Sequence, residues 1–192
     1  GAITGTADAT INSIIVGKGA NSVAGNTVLG ESALDAAVTG QNNTAIGNAA
    51  LTANTSGAGN TGVGHDALKS NISGAHNTAL GDKSLDANTS GTRNTAIGED
   101  SLGSNTTADF SVAVGYRALL ANTTGSSNVA VGAQALGATV TGSSNTAVGR
   151  SCLQNNTASN NTAVGNRALF VNTSGYDNVA IGSLNLDANT TG

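Results

Sequence analysis

A seventeen-residue period governs this sequence. Set in register, the copies begin at Asn26, Asn43, Asn60, Asn77, Asn94, Ser111, Asn128, Asn145, Asn161 and Asn178, with a step of 17 residues everywhere except one of 16 between Asn145 and Asn161. Counted in columns from one, the second copy reads Asn43-Thr44-Ala45-Ile46-Gly47, then Ala50-Leu51, then Asn54-Thr55-Ser56-Gly57. Self-similarity at a short fixed period points to a solenoid, in which each repeat touches only its neighbours. The ten copies fill residues 26–192 as one repeat domain. Residues 1–25 break the period and are expected to form an irregular lead-in with two degenerate copies, Ser13–Gly17 and Asn21–Gly25.

Each column has a physical reading. Column four is always aliphatic (Leu29, Ile46, Val63, Leu80, Ile97, Val114, Val131, Val148, Val164, Ile181), and column nine is always leucine. Both are expected to point inward, with Leu34, Leu51, Leu68, Leu85, Leu102, Leu119, Leu136, Leu153, Leu169 and Leu186 as core anchors. Columns two and thirteen keep β-branched shape while polarity varies between Thr, Val and Ile, the choice a strand makes. Column three is mostly Ala, alternating with larger residues on either side as a period-two strand requires. Its small side chains suggest a face that another chain approaches closely.

Column five is glycine in all ten copies: Gly30, Gly47, Gly64, Gly81, Gly98, Gly115, Gly132, Gly149, Gly165 and Gly182. A glycine at a fixed offset after a strand marks a corner that needs positive φ or close backbone passage, which limits the strands to four or five residues. Glycine returns at column fifteen in eight copies, from Gly40 to Gly192. Asparagine holds column one in nine copies and column twelve in eight. Stacked copies would set Asn above Asn in amide ladders. A helix would have to cross about two Asn and two Gly per repeat, each unfavourable to propagation. The expected fold is therefore all-β, a β-solenoid with about 17 residues per coil, and ten coils spaced ~4.8 Å apart give a rod of about 50 Å.

Such a coil encloses a thin core, whose apolar burial of about 4 kcal/mol per coil falls short of the backbone entropy of ordering it. A second source of burial is expected, and three parallel chains meeting in register along column three would supply it. Only 9% of the residues are charged, fewer than a monomeric rod normally carries.

The chemistry of the remaining residues is sparse. With a net charge of -4 and seven scattered cations, no basic stripe could follow a phosphate backbone, so nucleic acid is not an expected partner. No apolar run approaches the roughly 20 residues of a membrane-spanning helix, so no membrane insertion is expected. His65 and His76 recur in no other copy, and Asp and Glu fall irregularly in columns six and seven, so no metal site and no cofactor is expected. Cys152 takes the place of the usual Ala or Ser in column eight and reads as a small buried hydrophobe. No acid–histidine pair recurs beside a unique serine, so the segment is not expected to be an enzyme. Phe110, Tyr116, Phe170 and Tyr176 fall in different columns. Asp109 and Phe110, in the last two columns of their copy, suggest a corner that bulges outward.

The run Asn-Thr-Ala-Ile-Gly, then Ala-Leu, then Asn-Thr-Ser-Gly resembles the repeat shafts of bacteriophage tail fibres. It is also similar to the head repeats of trimeric autotransporter adhesins, whose units are usually shorter. The resemblance covers residues 26–192. It implies a left-handed β-roll assembled as a homotrimer, serving as the structural shaft of a virion, extracellular or cell-surface fibre, with a cell-surface glycan or receptor bound by parts outside the segment. Two other readings remain at this point: an adhesin whose repeat surface itself binds glycan or matrix, and an ice-binding solenoid using the threonines of column thirteen.

Overall fold

The computed structural model describes residues 9–11, 14–36 and 38–191 of the chain. Ser13, which opens one of the two degenerate copies, and Gly192, the last glycine of column fifteen, lie outside them. Strands β1 (Ala9–Ile11) and β2 (Ile14–Gly17) lead into ten strands, one per repeat. These are β3 (Thr27–Gly30), β4 (Thr44–Ile46), β5 (Thr61–Val63), β6 (Thr78–Leu80), β7 (Thr95–Ile97), β8 (Val112–Val114), β9 (Val129–Val131), β10 (Thr146–Val148), β11 (Thr162–Val164) and β12 (Val179–Ile181). From β3 onward every pairing is parallel and in register, column on column. The fold is a β-solenoid.

The lead-in is not a pair of degenerate coils. Strand β2 runs antiparallel to β3, with Val16 opposite Leu29, and β1 runs antiparallel to β2. Ala20–Ser22 forms a 3₁₀ turn in place of a strand. Asn21 Nδ2 donates to Val38 O (3.2 Å), and Val23 packs on the core, so this segment covers the first coil.

Within the repeats the strands are shorter than expected, three residues in nine of the ten. Column three faces inward: Val28, Ala45, Ala79, Ala96, Ala113, Ala130, Ala147, Ala163 and Ala180 are all buried. Column four faces outward, with Leu29, Leu80, Ile97, Val131, Val148 and Val164 between 37% and 47% exposed. Both expectations for these columns are therefore overturned: the aliphatic rank is no core anchor, and the alanines are closed off from any partner chain. The reason is room. A Cβ placed on Gly62 of column three would lie 3.2 Å from Ala67 O and 3.4 Å from Leu51 Cγ, so an alanine side chain already fills the space there; the one larger occupant, Val28, sits in the first coil beneath the lead-in. Column nine is the anchor, fully buried from Leu34 to Leu169, whereas Leu186 in the last coil is 48% exposed.

Turning so tightly uses left-handed backbone at fixed places. Column-five glycines lie at φ between 126° and 157°. A Cβ on Gly98 would also lie 2.7 Å from Gly115 O, so the glycine serves both conformation and stacking. Columns seven, nine and seventeen are left-handed as well, including Asp100 (φ 56°), Leu102 (φ 51°) and Arg93 (φ 57°). None of these three columns holds Val, Ile or Thr in any copy. β-Branched side chains tolerate this region worst, so leucine is the large aliphatic that can be both buried and left-handed at column nine.

Side-chain amides hold the corners. From Asn43 onward each column-one N–H donates to the side chain one coil back, as Asn43 N does to Asn26 Oδ1 (2.8 Å) and Asn94 N to Asn77 Oδ1 (2.9 Å), while Asn26 N donates to Val23 O (3.4 Å). The same residues donate through Nδ2 across their own coil, Asn60 to Gly74 O and Asn77 to Gly91 O (2.8 Å each). Column twelve forms a second ladder: Asn71, Asn88 and Asn105 Nδ2 each reach the preceding Oδ1 at 2.7–2.9 Å. Column thirteen lies outside the strands; its threonine hydroxyls donate to the next coil's backbone, Thr89 to Thr106 O and Thr106 to Thr123 O.

Irregular copies keep the stack. Asp109 Oδ1 accepts from Thr92 N (2.5 Å) and Thr92 Oγ1 (2.9 Å), while Phe110 N donates to Thr92 O (3.1 Å). That corner does not bulge; Asp109 fastens it. The one-residue deletion falls at column fourteen, because Asn156 Nδ2 reaches Ala158 O two residues on, where Asn88 reaches Gly91 three residues on.

Two substitutions test this account. Leu102→Ile conserves volume, yet is expected to destabilise by about 2–4 kcal/mol through its branched Cβ at positive φ, while Leu102→Met stays within about 1.5 kcal/mol. Equal denaturation midpoints for the two would refute the conformational explanation of column nine. The second concerns Asn122 Oδ1, a buried oxygen with no hydrogen-bond partner, because Thr139 interrupts the column-twelve ladder. Thr139→Asn is expected to stabilise by about 1 kcal/mol by supplying the missing donor, read by urea denaturation.

Candidate interaction surface

The strand face is a uniform surface that runs the length of the repeat stack. Along each strand columns two and four point outward, so ten copies present Thr or Val beside Val, Ile or Leu, and none of these twenty positions carries a charge. Nine inter-strand steps of ~4.8 Å make the face about 43 Å long and roughly 10 Å wide, on the order of 400 Å² in projection. That lies within the range of the largest patches on monomers, but it is drawn out along the whole stack. Its ends differ: β3 is covered by the antiparallel hairpin, while β12 exposes Val179 (67%) and Ile181 (69%).

Charges sit elsewhere, in columns six, seven, ten, sixteen and seventeen, where register stacks several of them. His65 Nδ1 lies 2.8 Å from Asp82 Oδ1, Arg117 Nε donates to Asp100 Oδ2 (3.1 Å), and Lys69 Nζ to Asp66 Oδ2 (3.1 Å). The carboxylate beside Arg117 raises the already high pKa of its guanidinium. Burial raises the pKa of the Asp86 carboxyl; the backbone N–H of Ala87 opposes this and the Asp100 charge adds to it. Among the described residues, no three of His, Cys, Asp and Glu lie together as a metal site would require. None of the helices there is long and apolar enough to cross a membrane.

The aromatics are dispersed, three of them stacked on cations: Arg93 over Phe110 at 5.5 Å, Arg117 over Tyr116 at 4.9 Å and Arg167 over Phe170 at 4.3 Å. His76 stands exposed at its corner. Cys152 is fully buried in column eight, its Sγ 3.2 Å from Ala163 O, and burial pushes its thiol up to about 11. The core leucines from Leu34 to Leu169 form a continuous internal column, and the half-exposed corner glycines bring no side-chain chemistry. What sequence reasoning missed was the orientation of the strand face; the signal available was that column four tolerates Leu, Ile and Val alike, whereas column nine does not.

No family model, curated protein or solved structure matches the chain.

The buried thiol yields a further expectation. Its folded pKa lies above its ordinary value of 9.0, so ionisation favours the unfolded chain: the associated stability is complete below pH 9 and is lost as pH rises toward 11. Thermal melts of the native chain are expected to fall more steeply between pH 9 and 11 than those of Cys152→Ala. Ellman's reagent should not label Cys152 at pH 8 without denaturant; rapid labelling of the folded chain would contradict its burial.

Proposed function

We propose that the chain is a stretch of the structural shaft of a virion, extracellular or cell-surface fibre, assembled as a parallel homotrimer, and that it carries no catalysis of its own. The observation that supports this reading is the strand face: twenty uncharged positions in register along the whole stack, thirteen of them aliphatic and eight of those exposed. Three rods laid with these faces around one axis would bury the ranks that a single chain leaves in water, and the in-register repeat lets the contact propagate without change of geometry. The contact face is thus columns two and four, in place of the alanine column. A shaft of this kind suits a fibre whose receptor or glycan contact lies in other parts of the assembly. The ice-binding reading loses support, because the threonine hydroxyls of column thirteen are engaged by the next coil and Ile72 and Val140 interrupt the rank.

Sedimentation equilibrium is expected to give three times the 18.4 kDa chain mass. Ile97→Lys combined with Val131→Lys should yield a folded monomer, since both side chains are exposed in the single chain. A native chain that stays monomeric at micromolar concentration would overturn the trimeric shaft.

A further inference from the structure

Nearly the same residues recur on the strand face of every coil, so that face does little to fix a register between copies. Sliding one copy past another by one coil, about 4.8 Å, sets Thr or Val and an aliphatic residue against their equivalents again. The two borders of the face are not uniform. Columns sixteen and seventeen lie where each strand begins, columns six and seven where it has ended. At β7 the entering border carries Arg93 and the leaving border Glu99, both exposed. At β8 the entering border carries Asp109 and Phe110, and the leaving border Tyr116 and Arg117. Opposite charges thus flank each of these two strands, and the signs reverse from one coil to the next. The intervening strand keeps Arg93 and Glu99 apart. Among the described residues neither has an ion-pair partner, and Arg93 lies over Phe110 at 5.5 Å. Phe110 is 54% exposed and Tyr116 42%.

We infer that the borders of β7 and β8 are the contact that sets direction and register between chains, with Arg93 of one copy meeting Glu99 of the next and Phe110 meeting Tyr116. This contact rests on the strand-face trimer proposed above and makes a second copy of the chain the occupant of each border. Parallel strand faces around a common axis bring the entering border of each chain beside the leaving border of its neighbour at the same height, a heterologous contact that a ring closes. Charge then chooses among the alternatives. In register, Arg93 meets Glu99 and Asp109 meets Arg117. A slip of one coil in one direction sets Arg93 against Arg117; a slip in the other sets Asp109 against Glu99. Both slips oppose like charges beside a face from which water is excluded. An antiparallel neighbour brings entering border to entering border and leaves Glu99 out of reach of Arg93. Asp109 and Arg117 already hold partners in their own chain, Thr92 N and Asp100, so the attraction falls mainly to Arg93 and Glu99, while all four residues penalise the slipped registers.

Repetition supplies variants that the fold already accepts. Arg93→Asp copies Asp177 in column seventeen, and Glu99→Arg copies Arg150 in column six. In sedimentation equilibrium of the whole chain over a dilution series, each single reversal is expected to weaken the trimer by roughly tenfold or more, and the double reversal to restore it, with unchanged circular dichroism. Register is read separately by oxidative cross-linking in a Cys152→Ala background. Phe110→Cys with Tyr116→Cys reports the aligned register, and Phe110→Cys with Ala133→Cys a slip of one coil. Both pairs leave Arg93 and Glu99 in place, and each spans a face roughly 10 Å wide, too far for a disulfide within one chain. The aligned pair is expected to give a disulfide-linked trimer faster than the slipped pair, and to lose that lead when Arg93→Asp is added. A native trimer in which the slipped pair cross-links faster, or in which the single reversals have no effect, would overturn the contact and leave the shaft standing. A native chain that stays monomeric would overturn both.

Discussion

Closing a coil of seventeen residues around a core only wide enough for one leucine and one alanine is the constraint on which the structure depends. Three extended residues carry the chain along one side, and the remaining fourteen must bring it back one strand spacing higher. Such economy requires left-handed backbone at columns five, seven, nine and seventeen of nearly every coil. A non-glycine residue there costs on the order of 1–2 kcal/mol, while full burial of a leucine contributes about 1.5–3 kcal/mol. At column nine burial therefore offsets the strain locally. At columns seven and seventeen only Asp66 and Ser151 are buried, and no occupant is β-branched: Asn42, Lys83, Asp100, Arg117 and Ser144 are typical.

The same tightness explains the buried asparagines. Corners turned this sharply leave backbone N–H and C=O groups pointing along the stack with no strand to meet them, and an unpaired buried amide is costly. Asn43, Asn60 and Asn77 each satisfy a backbone donor above, a backbone acceptor across the coil and a neighbouring amide, so a fully buried polar column becomes cohesive. Its cooperativity is visible where it fails, at Thr139, which leaves Asn122 Oδ1 unpartnered. Ser111 shows a milder substitution: its hydroxyl still accepts from Asn128 N, at 3.3 Å.

Period, fold class, corner glycines, leucine column and amide ladders were legible in the sequence because each depends on a residue's own conformational or hydrogen-bonding capacity. Orientation of the strand was not. Alternation states that Thr44 and Ile46 share one face and that Ala45 takes the other; it does not say which face is inside, and hydrophobicity alone favours the wrong choice. The deciding quantity is the distance across the coil, set by the leucine opposite. Asp109 misled for a related reason. An acidic residue beside a phenylalanine suggests a displaced corner, but stacking places Thr92 N–H within reach of its carboxylate, a relation between coils that no single repeat displays.

The coil thus divides its columns by how strongly the stack constrains them. Columns one, three, five, eight, nine and twelve answer to packing, hydrogen bonding or φ, and hold a narrow set of residues. Columns two and four answer only to shape and to the absence of charge. Columns six, seven, ten and sixteen face solvent, and there Tyr116, Arg117, Gly137, Gln154 and Asp109 appear without disturbing register. Even a deleted residue is absorbed at column fourteen while Thr146 still pairs with Thr162. Selective binding needs distinctive side chains on a rigid support, and a solenoid meets that need by varying only the columns that its stacking leaves free.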